Sequence, residues 1–193
     1  MDIIATLHHD HINVAEVARV ARAELRLLEA GEAADYALLE DIMCYVTGYP
    51  DTHHHPTEDI VFERLKERAP DAAGEVDALL AEHEELIARG RRFLDSIRSV
   101  VGEAFVLRED LLRHGHDYLS LLERHMDTEE GRLFPRATKA LTDEDWAYLT
   151  ERIEQRPDPL FGPALDEDYR RLWQRIQAHR RDDADEQPRH SDP

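Results

Sequence analysis

The chain predicts an all-α protein: an up-down-up-down four-helix bundle with a short C-terminal helical extension. Three observations carry this expectation. Gly and Pro are scarce, 8 and 9 in 193 residues, and they leave long uninterrupted stretches. Hydrophobic residues make up 41% and charged residues 35%, the mixture of amphipathic helices around a core. Apolar residues recur at steps of three and four over four long segments, and the short connections between these make neighbours antiparallel.

Residues 2–30 carry the first stripe: Ile4, Leu7, His11, Val14, Ala18, Ala21, Leu25 and Leu28, with Gly31 as the stop. Residues 33–68 carry the second: Leu38, Ile42, Tyr45 and Tyr49, then His54, Glu58, Val61, Phe62 and Leu65. Gly48 and Pro50 interrupt it, which predicts a kink or a break into two helices, and Pro70 ends it. A third helix is expected from about Asp71 to Val101, through Val76, Leu79, Leu80, His83, Leu86, Ile87, Gly90, Leu94 and Ile97. A fourth is expected from about Ala104 to Ala140, through Leu111, His114, Tyr118, Leu122, His125, Glu129 and Leu133, with Pro135 kinking its last turns.

Beyond Leu141 the character changes. Thr142 in TDEDW is placed to cap a helix with acids in its first turn, and PDPLFGP makes a turn. A short amphipathic helix follows through Leu165, Tyr169, Leu172, Trp173 and Ile176, which packs on the bundle or on a partner chain such as a second copy. The expected division is a bundle over 1–141, a helical extension over 142–179 and a disordered tail over 180–193.

The formal net charge of -19 argues against nucleic acid and anionic membranes as partners. Cys44 is the only cysteine, which rules out an intrachain disulfide and a Cys-based metal site. The start, MDIIATLHHDH, is too polar for a signal peptide, and no apolar run approaches the roughly 20 residues of a membrane span. A cytoplasmic protein fits these features.

Chemistry enters with the polar residues on the apolar stripes. His54 and Glu58 stand four apart and project from one helix face; His125 and Glu129 repeat the spacing. His11 and His83 each sit alone on a core-facing stripe. In an up-down-up-down bundle His11, His83, Glu58 and Glu129 all fall roughly 15–18 Å from the same end, so they occupy one layer. Two buried carboxylates cost several kcal/mol each unless compensated, and a pair of divalent cations would compensate them. Bridging carboxylates with imidazoles at terminal positions suit a dinuclear iron or manganese centre. The alternative is a hydrogen-bonded polar core.

The remaining histidines carry weaker signals. His53 and His55 point about 100° to either side of His54 in a regular helix. With His8 and His9 they are expected to face solvent or to support the layer from behind. His114 precedes His125 by 11 residues, about 16 Å of helix rise, too far for the same site. Glu82, Glu84 and Glu85 form a solvated face, Tyr118, Trp146 and Trp173 pack, and Cys44 is a small buried hydrophobe.

His11 in LHHDH, His54 to Glu58 in HHPTE, His83 in AEHEE and His125 to Glu129 in HMDTE together resemble the hemerythrin-like, HHE cation-binding family, over about residues 1–140. The flanking text YPDTHHHPTEDIVFERL and TEEGRLFPRA is also typical, and PDPLFG with the helix after it resembles the tail of some bacterial members. The resemblance implies a non-haem di-iron site, with a manganese or mixed-metal pair as the alternative. His11, His54, His83 and His125 would be terminal ligands, and Glu58 and Glu129 would bridge, with oxo, hydroxo or water between the metals. Hemerythrins proper have HxxxH on the third helix and HxxxxD on the fourth, where this chain has Ile87 and Glu130. One nitrogen donor is thus missing, which opens coordination and weighs against simple O2 carriage; His55 or water would fill the place. The implied function is binding or sensing of O2, NO or a related oxidant. A peroxide-decomposing enzyme and an iron-handling protein are the rivals.

Overall fold

The computed structural model describes residues 2–154 and 156–186. Helix α1 (Ile3–Ala30) starts at Asp2, whose side chain accepts a hydrogen bond from Ala5 N at 3.0 Å. It stops at Gly31, where φ of 77° lets the backbone turn left-handed and satisfy the carbonyls of Leu27 and Leu28. The second arm is broken, as the Gly48 and Pro50 positions predict. Helix α2 (Tyr36–Val46) gives way to a π-helical turn over Pro50–His54, and α3 (His55–Arg68) continues the arm.

The third arm is α4 (Ala73–Val101), entered through a 3₁₀ turn at Pro70–Ala72 rather than directly from Asp71. The fourth starts later than expected: α5 (Arg108–Thr128) is preceded by non-helical residues 104–107. The cause is the turn after α4, where Glu103 adopts φ of 60° and the Ala104 N–H bonds back to Ser99 O at 2.8 Å. A second π turn, Glu129–Leu133, links α5 to α6 (Phe134–Ala140). The four arms pack in sequence order, the first also against the fourth, and no strand occurs among the described residues. This is the expected helical bundle.

Two apolar clusters fill the bundle. One holds Ile3, Leu7, Val61, Phe62, Val76, Leu79, Leu133 and Phe134. The other holds Val14, Leu25, Tyr45, Leu86, Phe93, Tyr118 and Leu122, among others. On every arm the residues between the two sets are the polar ones: His11, His54 and Glu58, His83, and His125 with Glu129. Gly115 permits the close approach of α5 within the larger cluster, since a Cβ there would lie 2.6 Å from Leu25 and 2.9 Å from Phe93.

The extension begins with α7 (Asp143–Thr150), where Thr142 and Asp145 form a reciprocal capping box. Arg64 and Arg68 of α3 both pair with the buried Asp145, tying α7 to the bundle. Asp158 in PDPLFG is buried: it accepts from Tyr45 Oη at 2.8 Å and from the backbone of Leu160 and Phe161 at 2.8 and 3.0 Å. A 3₁₀ turn (Glu167–Tyr169) leads into α8 (Arg170–Glu186), whose Leu172 and Ile176 join the larger cluster. Trp173, expected on the packed face, is 39% exposed. The helix runs past the expected boundary at 179 to Glu186, and the rest of the expected tail lies outside the described residues.

Candidate metal centre

The six inward polar residues come together. Glu58 and Glu129 are both 0% exposed, and imidazole Nε2 atoms surround them. His54 lies 3.2 Å from Glu58, and His125 lies 3.3 Å from Glu129. His11 reaches both carboxylates, at 3.4 and 3.3 Å, and so does His83, at 3.6 Å to each.

The outward ring nitrogens are all engaged by carboxylates. His11 Nδ1 donates to Glu130 at 2.8 Å, His54 Nδ1 to Asp10 at 3.1 Å, His83 Nδ1 to Asp59 at 2.7 Å and His125 Nδ1 to Glu82 at 3.2 Å. Each acid is the sequence neighbour of an inward residue on its own arm and bonds the histidine of the next arm. Asp10 follows the ring from the first arm to the second, Asp59 from second to third, Glu82 from third to fourth and Glu130 from fourth to first. A carboxylate only accepts, so it holds the proton on Nδ1 and aims the Nε2 lone pair at the centre.

Sequence reasoning missed this ring. Glu82, expected on a solvated face, is bonded to His125, and its side chain is 29% exposed. The only signal was adjacency to the inward residues, as in His11 after Asp10.

His55 is also turned inward: it is 6% exposed, stacks on His83 with ring centroids 4.4 Å apart, and meets His125 edge-on at 5.8 Å. A regular helix would have carried it away from His54. The π turn changes this, because its wider loop, closed by His55 N–H on Pro50 O, lets two adjacent side chains share the inner face. Pro50 and Pro56 lack the N–H groups that would close ordinary α turns there. The second π turn sits just before Pro135 and brings both Glu129 and Glu130 to His11. Of the other histidines, His8 is exposed but bonds Glu130 at 2.9 Å, and His114 shares a hydrogen bond with Ser96 at 2.8 Å, away from the centre.

Among the described residues, Nε2 of His54, His83 and His125, Nδ1 of His55 and both oxygens of Glu58 and of Glu129 are buried with no hydrogen-bond partner. Leaving so many buried polar atoms unpaired is costly unless something binds them. In the metal-free chain, protons held on His11, His54 and His83 offset part of that cost. Burial acts to lower the pKa of His11, His54 and His83, but the facing carboxylates outweigh it. Glu129 and Glu58 raise His11 to about 11, Asp59 and Glu129 raise His83 to about 10, and Glu58 and Asp10 raise His54 to about 9. Burial and the mutual repulsion of the two carboxylates would raise Glu58, but His54 and His11 bring it down to about 2. Glu129 likewise falls well below its ordinary value against its burial, through His11, His125 and His83. His55 moves the other way, held neutral by burial and by the charge of His83.

Two overlapping donor groups can hold a cation: His11, His54 and Glu58, and His55, Glu58, His83 and His125. Glu58 belongs to both. A helical bundle built around a buried cation-binding cluster is the class these features define. The family description "Hemerythrin HHE cation binding domain" matches residues 2–137, and the chain belongs to that family. No match was found among curated proteins or solved structures. Hemerythrin domains bind metal cations, and the buried His/Glu cluster fits that role. No helix among the described residues is long and apolar enough to cross a membrane.

Proposed function

We propose that the cluster holds two iron ions and that the centre binds O2, NO or a related small oxidant, in a cytoplasmic sensing role. The observation that carries the reading is the pair of donor groups sharing Glu58, with their inward atoms unpaired. His11 and His54 would serve one ion, and His55, His83 and His125 the other, with Glu58 and Glu129 between them. His55 thereby supplies the nitrogen absent at Ile87. Iron held by imidazole and carboxylate supplies reversible one-electron chemistry and affinity for small oxidants. The protein's own residues orient the donors, neutralise the charge and keep the site dry. The two-histidine side has fewer nitrogens, and the small ligand is assigned there. A cavity of about 290 Å³ lined by Leu7, Asp10 and Thr57 approaches it.

The test is metal content of untagged protein, beside His125→Ala, followed by exposure of the reduced protein to O2 and to NO. Near two irons per chain, lost in the variant, with an absorption band that appears in the gas and disappears on degassing, is the expected result. Catalytic peroxide consumption abolished by Glu129→Ala would move the function to an enzyme. No stoichiometric metal after anaerobic loading would sink the reading.

A further inference from the structure

The cluster is buried, so a hydrated cation needs a way in. One flanking cavity, of about 420 Å³, reaches two of the inward imidazoles: His55 and His83 line it together with Asp51, Asp59, Glu63 and Glu84. No lysine or arginine is among its described lining residues. The other two flanking cavities differ. One sets Arg156 beside Asp10 and Glu154, and the other, where Asp2, His8 and Glu130 stand among Ile3, Phe134 and Trp146, has none of the inward imidazoles in its wall.

The His55 side chain is 7% exposed, and its Nδ1 is buried with no hydrogen-bond partner. Asp51 Oδ1 lies 3.5 Å from that nitrogen, and the Asp51 side chain is only 10% exposed. That separation is long for a hydrogen bond, but it suits two donors that each reach about 2.1 Å to one cation. The same imidazole belongs to the inner donor group with Glu58, His83 and His125. His55 therefore stands between the cavity and the centre.

We infer that this acidic cavity is the port through which divalent cations reach the centre, with Asp51 and His55 as the transient donor pair at its inner end. The inference rests on the metal-centre reading above. A cleft lined by one sign of charge concentrates counter-ions and speeds their capture, an effect that salt suppresses. Glu63 and Glu84 form the outer rim. Asp51 exchanges for lost water as the ion passes inward to the centre.

The experiment follows loading of chelated full-length protein by cobalt(II) in stopped flow at low ionic strength, through the visible bands of the bound ion. Glu63→Gln/Glu84→Gln and Asp51→Asn should each load at least about fivefold more slowly. Final cobalt stoichiometry and melting temperature should match the parent, and added salt should shrink the difference. Glu151→Gln/Glu154→Gln, which removes the same charge elsewhere, should load like the parent. Parental rates in both port variants, or equal slowing in the control pair, would overturn the port. Lost stoichiometry in Asp51→Asn would make Asp51 a resident ligand and overturn its transient role. A parent that takes up no cobalt would sink the metal centre itself, an outcome distinct from failure of the port alone.

Discussion

Leu25 in the larger apolar cluster is 0% exposed and His54 in the polar layer is 2% exposed, yet they are buried for opposite reasons. Leu25 gains by leaving water and asks only for neighbours of the right shape. His54 loses hydration and is tolerated because Asp10 accepts from its Nδ1 and the charged Glu58 carboxylate lies 3.2 Å from its Nε2. The apolar clusters are therefore self-sufficient, whereas the layer between them needs a cation. Either protons or metal can supply it. The bundle thus separates what folds it from what it binds, and each region can be perturbed to see whether the separation holds.

Metal removal should have the largest effect. At free metal a thousandfold above Kd, binding adds about 4 kcal/mol to stability. Chelation should then lower the melting temperature by roughly 8–16 °C for a domain of this size, measured by calorimetry. An unchanged melt after confirmed removal would mean that the layer is content with protons. Leu25→Ala should cost about 2–5 kcal/mol in denaturant melts while leaving metal content at the parental value. Loss of metal in that variant would break the separation.

The chelated protein should also show a distinctive pH profile. His54, His83 and His11 have folded pKa values of about 9, 10 and 11 against 6.5 for the free side chain. Groups raised in this way stabilise fully below pH 6.5, and the stabilisation is lost as pH climbs through those higher values. Chelated protein should therefore melt progressively lower from pH 6.5 towards 11. Loaded protein should not follow this fall, because metal replaces the protons, and loading near neutrality should release protons detectable with an indicator dye. Parallel profiles for the two forms would contradict the exchange of protons for metal.

Smaller effects test the supports. Glu82→Gln should weaken metal binding 10–100-fold in competition with a chromophoric chelator, roughly 1.4–2.7 kcal/mol, with little change in the metal-free melt. Tyr45→Phe removes the donor to Asp158 and should cost about 1 kcal/mol without altering metal affinity. A change in metal affinity there would connect the extension to the centre.

Much of this was legible in the chain because periodicity is local. The stripes locate the arms, and the HxxxE spacing at His54 and His125 places a histidine and a carboxylate on one face without knowledge of any partner. Gly48 and Pro50 announced a break in the second arm. What they could not announce was its form, since a π turn depends on which carbonyls find which amides across the Pro50–Pro56 interval. That choice moved His55 from the flank into the cluster. Glu82 was misread for a related reason: on its own helix it lies beside the core stripe, and only the neighbouring arm reveals that it faces His125.

The sequence by itself determined the number of arms, the stripe each one buries, and the six polar residues set among them, because helical period and the aversion of polar groups to apolar surroundings act within a segment. Only the tertiary structure decided which carboxylate holds which histidine, that His55 turns inward, and that Asp51, Asp59, Glu63 and Glu84 line one cavity. Those relations run between arms, and they come into being when the helices settle at fixed rotation and height against one another.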